Sequence, residues 1–290
     1  MTASKIYNQL QALARDRARP FDEILVFYAL ERFLYRLGGT PYARDFCLKG
    51  GVLLAAHSLR RPTRDIDIQA LDFELDVAHV TNVVAAVAAV DTEDGLSFHA
   101  GSLDIEQIRD EDEYTGLRVT LPTTLHRAKP TIKLDISTGD PIWPAPEQIE
   151  LPLLLGGSVK MQGHPLVTVI AEKTVTMLQR GTTSTRWRDL LDVAALSDRY
   201  SFAAAHLREA ARQVAQHRSV ELEPLRALLS GYGQIGQAKW AAWRAKNRAE
   251  DLCAKDLDDQ VERVLAFMDP IFDGTAEEHH VWSPDQRSWA

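Results

Sequence analysis

The sequence predicts an α/β (α+β) fold: a mixed-sheet lobe preceded by helices and followed by a largely helical C-terminal lobe. Three patterns carry this reading. Apolar residues recur at helical spacing through the first forty residues and again from residue 169 to near the end. Between those stretches, apolar and polar residues alternate with the period of a half-buried strand at residues 65–69, 103–109, 117–121 and 131–137. A short apolar run, Phe46-Cys47-Leu48, meets Lys49-Gly50-Gly51 and passes directly into Val52-Leu53-Leu54-Ala55-Ala56, in the order strand, glycine turn, helix.

Taken in order, Leu10, Leu13 and Ala14 mark a first helix, and Pro20 separates it from a second carrying Ile24, Leu25, Phe27, Tyr28, Leu30, Phe33 and Leu34. Gly38-Gly39-Thr40-Pro41 ends that pair. An Ala/Val-rich helix is expected over residues 73–90, and Gly139-Asp140-Pro141-Ile142-Trp143-Pro144 is a turn-rich exit from the last strand. The C-terminal helices break at Gly181-Thr182-Thr183, at Tyr200-Ser201 and over residues 231–236. The expected division is 1–160 for the sheet-bearing lobe, with its sheet core at about 45–150, and 161–290 for the helical lobe.

At 290 residues and 45% hydrophobic content, the chain can bury a full core and form two packed lobes. Its net charge of −8 argues against a protein that coats nucleic acid through a global positive field, so any such contact needs a local basic patch. The N-terminus shows no charged segment leading into an apolar one, and the longest weakly polar run, residues 83–90, is far too short for a bilayer. Cys47 and Cys253 lie far apart without metal-ligand spacing, which suits two structural thiols in a reducing compartment. A cytoplasmic monomer is expected. His57 and the pair His279-His280 have no Cys or His companions at ligand spacing and are read as bystanders.

The chemistry concentrates at Asp65-Ile66-Asp67. Residues two apart on a strand point the same way, so both carboxylates aim into one small volume, where hard oxygen donors suit Mg²⁺. Asp135, among alternating apolar residues on a separate strand, can join them and would allow two metals. For an isolated pair of acids the plain alternative is a solvated strand face. Lys49-Gly50-Gly51 lets backbone amides approach a phosphate without Cβ obstruction, while the plain alternative there is a tight turn.

Order along the chain decides between these. Phe46-Cys47-Leu48-Lys49-Gly50-Gly51 followed by Arg61-Pro62-Thr63-Arg64-Asp65-Ile66-Asp67 resembles the Gly-Gly and D-x-D motif of polymerase-β-like nucleotidyltransferases in their AbiEii form. Leu134-Asp135-Ile136-Ser137-Thr138-Gly139-Asp140-Pro141 resembles the family's second acidic strand and exit turn. Ala171-Glu172-Lys173 and Arg186-Trp187-Arg188-Asp189-Leu190-Leu191-Asp192 resemble its helical motifs.

The resemblance implies a toxin of a toxin–antitoxin pair that moves nucleotides from an NTP to RNA, with the tRNA 3′ acceptor end as target, and that is opposed by an AbiEi-like antitoxin. Asp65, Asp67 and Asp135 would hold Mg²⁺ or Mn²⁺. Lys49, Gly50, Gly51, Thr63, Arg64 and Glu172 would meet the nucleotide, with Lys173 as a point cation for the triphosphate. Asp189 and Asp192 would act as a catalytic base or as partners that position Lys173. Thr63 has three open roles: substrate contact, phosphoacceptor, or a structural hydroxyl. Val52 departs from the wider superfamily, in which many members carry Ser or Thr after the second glycine. Arg60, Arg61, Arg127, Lys129, Lys133, Arg180, Arg186 and Arg188 are the candidate RNA contacts. Trp240 and Trp243, interleaved with Lys239, Arg244, Lys246 and Arg248, suit one buried helix face better than base stacking. Two other functions stay open: the same fold acting on a small molecule or protein, and a degenerate domain that only binds.

Overall fold

The structure, a computed structural model, describes residues 2–59, 63, 65–71, 73–109 and 115–290. The chain divides into two compact units, 1–139 with 146–164 and 140–145 with 165–290.

The first unit opens with α1 (Ala3–Asp16) and α2 (Phe21–Gly38). The Thr2 hydroxyl accepts from the Lys5 amide as N-cap, and Ile6, Tyr7, Leu10 and Ala14 form the buried stripe of α1. α2 is buried on more of its surface and carries charge into the core. Both carboxylate oxygens of the fully buried Glu31 accept from the Leu154 amide, at 2.8 and 3.0 Å. Arg36 makes a two-bonded fork with the buried Asp94, at 3.1 and 2.6 Å. Burial pushes the Asp94 carboxyl up, but Arg36 and Thr92 outweigh it and leave it below the ordinary carboxylate range.

Then follow β1 (Phe46–Lys49), α3 (Gly50–Ala56), β2 (Asp65–Ala70), α4 (Val77–Ala89), β3 (Leu96–Phe98), β4 (Asp104–Arg109), β5 (Thr115–Leu125), β6 (Thr131–Ser137), β7 (Glu147–Pro152) and β8 (Ser158–Gly163). The sheet runs β3-β5-β6-β2-β1-β8-β7, with β4 also on β5. It is mixed: β2 and β6 run parallel, as do β1 and β8, while the other pairs are antiparallel. Ile66, Ile68, Ile132, Leu134 and Ile136 are all buried on one face, which fixes the register, because a one-residue slip would turn them to the other side. The strand, glycine turn and helix expected at residues 46–56 are present, and so is the alternating strand at 65–69. β3, β7 and β8 were not anticipated; β8 joins the sheet at β1 and carries it to Gly163.

The second unit holds α5 (Leu166–Arg180), α6 (Trp187–Ser197), α7 (Ala204–His217), α8 (Leu225–Leu228), α9 (Tyr232–Asn247) and α10 (Leu257–Phe272), then a small hairpin, β9 (Trp282–Ser283) with β10 (Ser288–Trp289). Small residues let α5 and α7 approach closely, through Ala171 and Val175 against Ala210, Ala211, Val214 and Ala215. The segment 140–145 is tied in by Arg218, which forks onto Asp140 and also donates to Thr176 at 2.8 Å and Gln179 at 2.9 Å. Trp282 and Trp289 pack around Phe267, and their indole N–H groups donate to the Ser197 and Phe267 carbonyls.

The expected break over residues 231–236 is present at Gly231, the left-handed N-cap of α9, but does not extend further: α9 begins at Tyr232, and Gly233 and Gly236 stand inside it. A Cβ at Gly236 would come 2.7 Å from Leu257, and one at Gly233 2.1 Å from the Asp258 carboxylate, so these glycines permit close approach instead of ending the helix. No helix among the described residues is long and apolar enough to cross a membrane.

Candidate active site

Strand pairing gathers residues that are distant in sequence. Lys49 pairs in register with Asp67, Asp67 with Asp135, Asp135 with Arg118, and Arg118 with Glu106. Register partners share a face, so the five side chains form one charged row across β1, β2, β6, β5 and β4. One step along the same face, Asp65 lies beside Lys133 and Thr120.

Each acid in this arrangement has its own support. Thr63, 2% exposed, donates its hydroxyl to Asp65 Oδ1 at 2.8 Å, which commits that hydroxyl to orienting the carboxylate. Asp67 lies against Gly50, where an added Cβ would come 2.0 Å from Asp67 Oδ2. Gly50 also turns the chain at φ +66°, a conformation L side chains resist. Val52 is fully buried and packs the core, so position 52 offers no hydroxyl to this polar face. Asp135 accepts two bonds from Arg118, at 2.7 Å from Nε and 2.6 Å from Nη2. That fork, together with the charges of Asp65 and Glu106, raises the Arg118 guanidinium further above its ordinary range.

Gly50→Ala combines the clash with the strained φ, and it is expected to lower stability by about 2 kcal/mol or more and to displace Asp67. Thermal unfolding checks the first effect; an unchanged midpoint would contradict it.

The donor set fits a hard divalent cation. It consists of carboxylate oxygens, two of the carboxylates lie on one strand face, and no side chain at position 50 fills the space against Asp67.

In the second unit, Lys173 on α5 has its Nζ 2.6 Å from Asp189 Oδ1 and 3.0 Å from Asp192 Oδ2. Asp189 and Asp192 lie one turn apart on α6, both buried. The second Asp189 oxygen accepts from Arg186 Nε at 2.8 Å. Lys173 and Arg186 thus both bring positive charge to these buried acids. Burial pushes the Asp189 carboxyl up, but Lys173 and then Arg186 outweigh it and hold it at about 2. A carboxylate held so low suits pairing better than proton transfer near neutral pH. Since this pKa is depressed, the pair stabilises the fold fully above about pH 4 and loses that contribution as pH falls toward about 2. Asp189→Asn is expected to flatten that acid limb in urea unfolding followed from pH 5 to pH 2.

The remaining candidates are spread more widely. Glu172 is half-buried beside Lys173, Arg180 ends α5, and Arg188 is half-buried in the first turn of α6. Arg186 is the more open cation, with 47% of its side chain exposed. Arg127 donates to the Tyr7 hydroxyl at 3.3 Å and lies over that ring, and Lys129 is exposed nearby. Both belong to the β5–β6 turn; Lys129 is six residues from Asp135, roughly 20 Å along the strand. Lys133 is the basic candidate that pairing brings beside the acids. Arg60, Arg61 and Arg64 lie outside the described residues.

Trp240 is fully buried and stacks on the half-buried Trp243, with ring centroids 5.3 Å apart. Among the described residues, Glu277 joins His279 and His280, with one potential ligand atom from each within 4.8 Å of the others. His280 Nδ1 already accepts from the Glu277 amide at 3.1 Å, a bond that ligation would disturb.

Arg118 and Glu106 were missed by the sequence reading. The cue was the alternation Leu117-Arg118-Val119-Thr120-Leu121: a hairpin turning at His126 and Arg127 brings Arg118 opposite Asp135.

The sequence matches the family described as nucleotidyl transferase AbiEii toxin, type IV TA system, over residues 32–265. No curated protein matches it. Among solved structures it is similar to MenT4, a nucleotidyltransferase toxin of Mycobacterium tuberculosis, at 19% identity and a TM-score of 0.53, covering 88% of this chain and 93% of that one. JHP933 from Helicobacter pylori follows at 19% identity and a TM-score of 0.49, covering 86% of this chain and 92% of that one. The likeness to MenT4 shows a shared fold. With most of its length matched, the chain belongs to the AbiEii nucleotidyltransferase toxins of type IV toxin–antitoxin systems.

Proposed function

We propose that this toxin transfers a nucleotide from an NTP to RNA in the cytoplasm, with the tRNA 3′ acceptor end as the target, and so blocks translation. One observation carries the chemistry: Asp65 and Asp67 share a strand face beside Asp135, with Gly50 leaving room for the Asp67 carboxylate. We assign these acids to Mg²⁺, with Mn²⁺ as a substitute. When bound, the cation screens the charge that builds on the α-phosphate and the leaving pyrophosphate.

The chain's own residues do the rest. Thr63 fixes the direction of Asp65, while Lys49 and Lys133 supply positive charge beside the acids. Lys173, oriented by Asp189 and Asp192, is assigned to the triphosphate, with Glu172 beside it. Arg180, Arg186 and Arg188 are assigned to the RNA backbone, a role that their charge supports. The family implies an antitoxin partner, here taken to be an AbiEi-like regulator.

Incubation of the purified protein with each α-labelled NTP, Mg²⁺ or Mn²⁺, and total RNA tests this reading. Label is expected in RNA of tRNA size. Label that enters only protein or a small molecule would replace the acceptor, and absence of transfer with every NTP and both metals would sink the proposal.

A further inference from the structure

The fork between Arg118 and Asp135 poses a chemical problem. A carboxylate that gives both oxygens to a guanidinium at 2.7 and 2.6 Å cannot offer the same lone pairs to a metal ion. Arg118 also brings a positive charge to the row of acids assigned to a cation. On its other side stands Glu106, in register on β4, exposed, and close enough to act electrostatically on the guanidinium. Arg118 keeps 37% of its side chain exposed, which leaves it room to turn.

We propose that Arg118 is a positioning residue shared between Asp135 and Glu106: it holds Asp135 away from the divalent cation and turns to Glu106 when that cation binds. The inference rests on reading Asp65, Asp67 and Asp135 as the metal site. The two states exchange partners without creating an unpaired charge. In one, Arg118 neutralises Asp135; in the other, the cation does so and Glu106 receives Arg118. Metal entry therefore carries the cost of breaking a charge-assisted fork, and Glu106 offsets part of it. A plain cross-strand ion pair would hold the sheet but give Glu106 no influence on metal affinity.

The test is Mn²⁺ binding to the full-length protein without nucleotide, followed by electron paramagnetic resonance titration. Wild type is expected to bind Mn²⁺, and Asp65→Ala to lose it. Arg118→Gln is expected to tighten Mn²⁺ by about tenfold, with Arg118→Lys, which keeps the charge but loses the fork, in between. Glu106→Gln is expected to weaken binding by a few-fold in the native background and to have no effect when Arg118 is Gln.

If Arg118→Gln leaves affinity unchanged or weakens it, or if the Glu106→Gln effect is equal in both backgrounds, the exchange is overturned. Should Arg118→Gln fail to fold, the Arg118→Lys and Glu106→Gln titrations decide, because tighter binding in the first and weaker binding in the second are both required. Wild-type protein that binds no Mn²⁺ would overturn the metal reading and this inference with it. Binding that Asp65→Ala abolishes but Arg118 variants leave untouched would overturn the inference alone.

Discussion

Replacing Asp65 with alanine is expected to cut nucleotide transfer by at least about 100-fold while leaving the fold intact. Asp65 is half-buried at the start of β2, and its side chain accepts a hydrogen bond from the Thr63 hydroxyl. Removing it therefore takes away a carboxylate aimed at the site without opening a cavity, and the unfolding midpoint should move by less than about 1 kcal/mol equivalent. Transfer of label to RNA and thermal unfolding, measured on the same preparation, separate the two effects. Full transfer by this variant would remove the basis for assigning the acids to catalysis.

Lys173→Met is expected to show the opposite balance, with large losses in both stability and activity. Lys173 is the cation between two buried acids, and Arg186 donates to Asp189. Without the lysine, Asp192, fully buried at its side chain, loses the ammonium that stood 3.0 Å away, and removing one member of a buried ion pair costs about 3–5 kcal/mol. The double variant Lys173→Met with Asp192→Asn removes that leftover charge. It should regain most of the lost stability and still fail to transfer nucleotides, because the cation assigned to the triphosphate is gone. Activity that returned together with stability would instead assign Lys173 a structural role alone.

The comparison of sequence with structure follows a physical divide. Asp65 and Asp67 were legible because a period of two puts neighbours on one face, and Gly50 because a strand meeting a helix within two residues needs a turn that side chains resist. Those are local rules. β7 and β8 were not legible: Ile149 and Leu151, and Val159 and Met161, alternate over only a few residues, and their stability comes from pairing with each other and with β1. Gly233 and Gly236 looked like a break because glycine disfavours helix on average; the close approach of Leu257 and Asp258 overrides that preference. Arg118 was hidden for a related reason. Nothing in its own neighbourhood distinguishes it, and its role appears only once the β5–β6 register sets it against Asp135.

The charged row has one more consequence, in time. Its members occupy positions 49, 67, 106, 118 and 135, and β1 gains its second neighbour only with β8, which ends at Gly163. A chain emerging from the ribosome therefore carries its acids unassembled through the first half of synthesis, and long-range strand pairing of this kind closes late. For a protein harmful to the cell that makes it, this late assembly delays the moment at which a nascent chain is able to act.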